Sequence, residues 1–256
     1  MNHKQHSSSG DLVTVENAQG QSCVVIVCEH ASCYIPDAFN NLGLPVDALQ
    51  SHAAWDPGAL GVARRMSARM DAALVASGVS RLIYDCNRPP TANDAMPAQS
   101  ETIKVPGNIG LTADQRRDRT NRYYVPFHDH LSKTIAATPN AVIATIHSFT
   151  PVFHGQARAV EIGILHDIDT RLADIMLQLA PAHTNANVQC NAPYGPEHGV
   201  THTLKEHAIK AGHLNVMIEI RNDLIQTPEQ QNAMADTIAS WLSESLAKLK
   251  SARDVK

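Results

Sequence analysis

The chain of 256 residues is 43% hydrophobic and 18% charged, enough apolar material for one sizeable core, and its formal charge of −4 excludes the global positive field that would hold nucleic acid or an anionic membrane. Five cysteines, an odd number with no CxxC pair among them, support neither a disulfide framework nor a thiolate zinc site. A small-molecule substrate and a reducing cytoplasm are therefore expected; nothing in the composition specifies an oligomeric state.

The opening segment, with its polar MNHKQHSSSG, lacks the apolar centre of a signal peptide, and 1–18 are expected to form a disordered tail ahead of a single domain over 19–256. Residues 22–28, SCVVIVC, have the continuous apolar, β-branched pattern of a strand buried on both faces, and the run ends in Glu29-His30. A long connection with Pro36, Gly43, Pro45 and Pro57 follows. From Asp56-Pro57 a helix is expected, because Leu60, Ala63, Met66, Met70, Ala73 and Leu74 recur at helical spacing, with Gly78 as its left-handed cap. Residues 80–84, SRLIY, predict a second strand ending in Asp85-Cys86-Asn87-Arg88, and 89–111 read as a lid or binding loop.

Thr112 and Gln115 form a capping-box pattern for a helix to about Ala137, whose Arg116, Arg117, Arg119 and Arg122 read as a solvated face. A third strand over 141–146 delivers His147-Ser148, and a fourth is expected over 159–165. An amphipathic helix covers 169–179, a turn-rich NAPYGPEHG covers 191–199, and a helix over 200–211 closes at Gly212. The fifth strand, 214–220, carries Glu219, and Thr227, Pro228 and Gln230 open a terminal helix to about Lys250. Strands alternating with helices predict a three-layer α/β/α sandwich with a mainly parallel mixed sheet. Neither a GxGxxG nor a GxxxxGK[ST] loop is present, which removes the dinucleotide and phosphate-loop readings.

In a parallel sheet, four strand ends would then converge on one edge: Glu29 and His30, Asn87 and Arg88, His147 and Ser148, and Glu219 with Arg221. Two histidines and a carboxylate around an open position make a catalytic zinc set, a second carboxylate can act as general base, and an arginine can hold a substrate carboxylate bidentately. Each group also has a structural alternative. His147 could bond a backbone carbonyl, Asp56 could cap the helix after it, and Glu219 could pair with Arg221. Cys33, three residues after His30, is a weaker nucleophile candidate.

VCEHAS (27–32), HAAWDPGA (52–59), SRLIYDCNRPP (80–90), TIHSFTPV (145–152), GVTHTLKEHA (199–208) and VMIEIRNDLI (216–225) together resemble the N-formylglutamate amidohydrolases, over about 22–245, and the wider zinc carboxypeptidase-type fold. The resemblance implies metal-dependent hydrolysis of a small N-acyl amino acid, most simply N-formyl-L-glutamate to formate and L-glutamate, as in histidine degradation. It also implies one divalent metal, zinc, with His147 as a ligand, Glu219 as general base, and Asn87-Arg88 on the substrate carboxylate. His30 fits the first half of a His-x-x-Glu motif, but Cys33 stands at the glutamate position. The third ligand is therefore expected to be Asp56, from the Trp-Asp setting of the amidohydrolase pattern. Glu29 is the second choice, since adjacent side chains on an extended strand point apart. A metallocarboxypeptidase, another N-acyl amino acid deacylase, or a non-catalytic binding protein on the same fold remain the alternatives. His202 and Tyr194 lie where a substrate-facing loop is expected, without chemistry that singles them out.

Overall fold

The computed structural model describes residues 11–254. Among them one sheet contains β1 (Val13–Glu16), β2 (Val24–Cys28), β3 (Ala73–Ser77), β4 (Val142–Phe149), β5 (Ile162–Leu165), β6 (Val188–Cys190) and β7 (Leu214–Arg221). Their spatial order is β1-β3-β2-β4-β7-β5-β6. The central strands β3, β2, β4 and β7 run parallel, β1 pairs antiparallel with β3, and β5 pairs antiparallel with β7. The fold is thus the mainly parallel mixed α/β sandwich that the alternating pattern predicts.

Both faces of the sheet are covered, which is why its strands read as unbroken apolar runs. Val24, Ile26 and Cys28 of β2 belong to a core shared with α1 (Ala59–Met70), α4 (Arg171–His183) and α6 (Pro228–Asp254). Val25 and Val27 point the other way, into a core with Phe127, Leu131 and Ile135 of α3 (Val125–Ala137). α3 continues α2 (Ala113–Arg119) through one wide π turn, and α2 opens on the expected Thr112–Gln115 capping box. The short α5 (His202–His207) packs on the same side as α3. Trp241 of α6 is fully buried and its indole donates to the Met176 carbonyl of α4 at 2.8 Å. No described helix is long and apolar enough to cross a membrane.

The structure departs from five expectations. Ala73 and Leu74 fit helical spacing, but α1 stops at Met70 because Asp71 turns left-handed (φ 51°), and Ala73–Ser77 emerge as the buried strand β3. Gly78 is therefore no helix cap; a Cβ there would lie 2.0 Å from the Asp11 carbonyl oxygen, so glycine is what lets β1 close on β3. Residues 80–84 form a turn, not a strand. Ser80 Oγ donates to the Ala54 carbonyl at 2.7 Å and accepts from the Leu82 amide at 3.1 Å, local bonds that compete with a ladder. Of the tail expected to be disordered over 1–18, Val13–Glu16 form β1, and the first ten residues lie outside those described. Arg119 is buried rather than solvated, donating to Asn108 Oδ1 at 2.6 Å and stacking 4.7 Å from the Phe39 ring centroid.

Trp241→Ala should lower the unfolding free energy by about 3–5 kcal/mol, since it opens a cavity and strips the Met176 carbonyl of its donor. Urea denaturation monitored by far-UV circular dichroism measures this, and a shift below ~1 kcal/mol would contradict the packing described.

Candidate active site

Because β2, β3, β4 and β7 are parallel, their carboxyl ends share one edge, where ligands of open α/β sheets bind. β2 hands over Glu29 and His30, β4 carries His147 in its last turns, and β7 carries Glu219 directly opposite His147 in register. The loop ahead of α1 adds Asp56, and the turn after β3 adds Arg81 and Asp85.

Asp56 is the hub. Its Oδ2 lies 3.2 Å from His30 Nδ1 and 2.9 Å from His147 Nδ1, and it accepts from the Ser148 amide at 3.2 Å. It does not cap α1, whose N-cap is Gly58 (φ 85°) without a side-chain bond. Each imidazole turns its other nitrogen toward a further carboxylate. His30 Nε2 is 2.7 Å from Asp85 Oδ1, and His147 Nε2 is 3.1 Å from Glu29 Oε2. The latter is an ion-pair distance without hydrogen-bond alignment, so His147 Nε2 and both Glu29 oxygens have no hydrogen-bond partner among the described residues.

Glu29, Asp56 and Asp85 are each at most 3% exposed, and Arg81 meets two of them, at 3.4 Å from Asp56 and 2.9 Å from Asp85. Three buried carboxylates against one guanidinium leave about two negative charges unbalanced, which a dry site does not tolerate. The imidazoles respond. Burial and Arg81 oppose protonation of His30, but Asp85 and Asp56 outweigh them and raise its pKa. Burial likewise opposes a charge on His147, and Glu29 and Asp56 overcome it, raising the pKa well above the ordinary value.

A divalent cation meets the same demand. His30, Asp56 and His147 offer ligand atoms that all lie within 4.8 Å of one another. The edges of 2.9 and 3.2 Å match the roughly 3.3 Å that separates ligands in a tetrahedron of ~2.0 Å zinc bonds. Two imidazoles, a carboxylate and an outer carboxylate, Asp85, that fixes the His30 tautomer form a donor set suited to zinc.

Glu219 is buried, its Oε2 has no hydrogen-bond partner among the described residues, and burial followed by the Asp56 charge, against the pull of His147, His30 and Arg81, pushes its pKa up to about 7. It does not pair with Arg221, which is held by Asp223 and Glu161. On its other side β5 presents Gly163, where a Cβ would lie 2.0 Å from the Ala192 carbonyl oxygen. That missing side chain lets the 191–199 loop settle beside Glu219 and bring Tyr194 with it. Burial and then the Glu219 charge raise the Tyr194 phenol.

Asn87 and Arg88 are placed differently from Arg81. Asn87 donates to the Val200 carbonyl at 2.5 Å and accepts from the Thr203 amide at 2.9 Å. Arg88 is spent on Asp94 at 2.7 Å, on the Asn87 and Gly199 carbonyls at 3.0 and 2.9 Å, and on the His198 carbonyl at 3.4 Å. Together they brace the 198–203 segment. Arg81 and Asp85 were not singled out in the sequence because a strand over 80–84 would hold them far apart, whereas the turn brings them together at i and i+4. Cys33 is half-buried and burial raises its thiol, so it gains nothing as a nucleophile.

No curated protein matches the chain. Among solved structures it is similar to the gene product Atu2144 from Agrobacterium tumefaciens, with 53% identity, 94% of this chain and 97% of that chain covered, and a TM-score of 0.92. It shares its fold with an N-formylglutamate amidohydrolase from Ralstonia eutropha JMP134, at 16% identity, with 95% and 99% of the two chains covered and a TM-score of 0.58. The family model for N-formylglutamate amidohydrolase matches residues 22–226, a span that contains every group of the site just described, and the chain belongs to that family of amide-bond hydrolases.

Proposed function

We propose that the protein hydrolyses the amide bond of a small N-acyl amino acid in a metal-dependent reaction, converting N-formyl-L-glutamate to formate and L-glutamate. The observation that carries this reading is the buried His30–Asp56–His147 cluster, with its unbalanced carboxylate charge, beside a carboxyl group near neutral pKa that is the register partner of His147. His30, Asp56 and His147 would hold the cation, zinc by their N and O donors. Such a cation polarises an acyl oxygen and acidifies a water to near neutral pH.

The remaining chemistry belongs to the chain. Asp85 holds the His30 imidazole with Nδ1 toward the cluster, and the Glu29 charge lies 3.1 Å from the His147 Nε2. Glu219, with a pKa of about 7, is matched to taking a proton from the attacking water and returning it to the leaving amine. Burial of the cluster excludes bulk water and strengthens each of these electrostatic contacts. Asn87 and Arg88 enter as the brace of the loop that closes over the site.

Dialysis against a chelator should abolish hydrolysis of N-formyl-L-glutamate, and zinc should restore it; full turnover by metal-free protein would end the metal-dependent reading. Glu219→Gln is expected to keep one equivalent of zinc while kcat falls by roughly 10²–10⁴-fold, so an unaltered kcat would remove Glu219 from the base role. Asp85→Asn should weaken zinc binding about 10–100-fold in a competition titration with a chromogenic chelator, because the His30 ring loses its charged acceptor.

A further inference from the structure

The arginines near the site differ in how much of their hydrogen-bonding capacity is free. Arg81 faces Asp56 and Asp85, Arg88 faces Asp94 and three carbonyls, and Arg221 faces Asp223 and Glu161. Arg158 is half-buried, yet no carboxylate lies within ion-pair distance of it among the described residues. Its protein partners are the Tyr194 hydroxyl, to which Nη2 donates at 2.9 Å, and the Thr150 carbonyl at 3.4 Å.

What holds it is aromatic. The guanidinium carbon lies 4.3 Å from the Phe153 ring centroid, 4.9 Å from that of Tyr194 and 5.6 Å from that of Phe149. A tight hairpin pairs Val152–Phe153 with Gln156–Ala157 through left-handed His154 and Gly155, and delivers Arg158, whose amide donates to the Pro151 carbonyl at 2.8 Å. Ring faces hold the guanidinium without using its N–H groups, and those not taken by Tyr194 and Thr150 remain to receive a carboxylate.

The position fits a substrate group. Phe149 is two residues past His147 on β4, and Tyr194 follows the Ala192 carbonyl that occupies the space above Gly163, the register partner of Glu219. Tyr194 thus links Arg158 to the base. Arg81 meets Asp56 and Asp85 directly, whereas Arg158 adjoins the site through Phe149 and Tyr194 and is set back from the cluster. An α-carboxylate is two bonds from the scissile nitrogen, whereas a side-chain carboxylate is set back by its methylenes, which Phe153 and Tyr194 would cover.

We infer that Arg158, caged by Phe149, Phe153 and Tyr194, binds the side-chain carboxylate of the substrate and so restricts the enzyme to N-acyl derivatives of dicarboxylic amino acids. This rests on the hydrolase reading above and assigns its specificity.

The test uses the zinc-loaded full chain with two near-isosteric substrates, N-formyl-L-glutamate and N-formyl-L-glutamine. The unsubstituted protein should favour the glutamate substrate. Arg158→Gln should raise KM for N-formyl-L-glutamate about 10–100-fold with little change in kcat, and raise that for N-formyl-L-glutamine far less. Arg158→Lys, which keeps the charge but not the fork, should fall between. Isothermal titration of N-formyl-L-glutamate into Glu219→Gln, with and without Arg158→Gln, should show the same loss in Kd without turnover. Equal losses on both substrates would place Arg158 elsewhere, on the α-carboxylate or in the scaffold, and overturn the inference, as would no change on either. If the unsubstituted protein hydrolyses both substrates equally, the hydrolase reading stands and this inference alone falls. If it hydrolyses no N-acyl amino acid, both fall.

Discussion

One carboxylate oxygen, Asp56 Oδ2, organises the edge of the sheet where the parallel strands end. It meets His30 from the end of β2, His147 from the last residues of β4, and the Ser148 amide next to it. Asp56 itself is anchored by its amide, which donates to the His30 carbonyl at 3.0 Å, while Ser148 Oγ donates to the Pro57 carbonyl at 2.9 Å. Two strands and the helix-leading loop are therefore tied through a single acceptor, and any change in the length of that loop would be felt at both imidazoles. The parallel strand order makes this economical, because adjacent parallel strands end side by side.

Around that hub, charge is arranged in shells. Glu29 and Asp85 sit behind the imidazoles, Arg81 spans Asp56 and Asp85, and Glu219 stands apart with a carboxyl that burial keeps near half-protonated at neutral pH. The separation of roles follows from surroundings. Asp56 and Asp85 have imidazole and guanidinium neighbours that hold their pKa low, whereas Glu219 has an apolar strand around it and no hydrogen bond to its Oε2. Two carboxylates of similar intrinsic acidity can thus serve as cation ligand and proton carrier in one pocket.

The loops complete what the strands begin. The 191–199 loop reaches Glu219 because Gly163 leaves space for the Ala192 carbonyl, and Asn87 and Arg88 fasten the segment that follows it. The hairpin at 152–157 is held from outside, where Glu101 accepts from the His154 amide at 2.7 Å and pairs with His52 at 2.9 Å. Arg158 leaves that hairpin toward Tyr194, so the two loops meet at a guanidinium rather than at a second apolar core.

His30, His147 and Glu219 were legible in the sequence because a polar group stands out in or just after an unbroken β-branched run, and in a parallel sheet the carboxyl ends of such runs share one edge. The capping residues Thr112 and Gln115 were legible for an equally local reason. Ala73–Ser77 and 80–84 were not, since ALVAS fits either period and the deciding features, a left-handed Asp71 and the Ser80 bonds to Ala54 and Tyr34, involve backbone geometry and partners more than twenty residues away. That single misassignment hid Arg81 and Asp85. By itself the sequence determined the alternating architecture and the residues that strands carry to its edge, because burial and periodicity are local. Only the tertiary structure decided which arginine remains free, since that depends on long-range partners: Arg88 is consumed by a loop more than a hundred residues away, and Arg158 is spared.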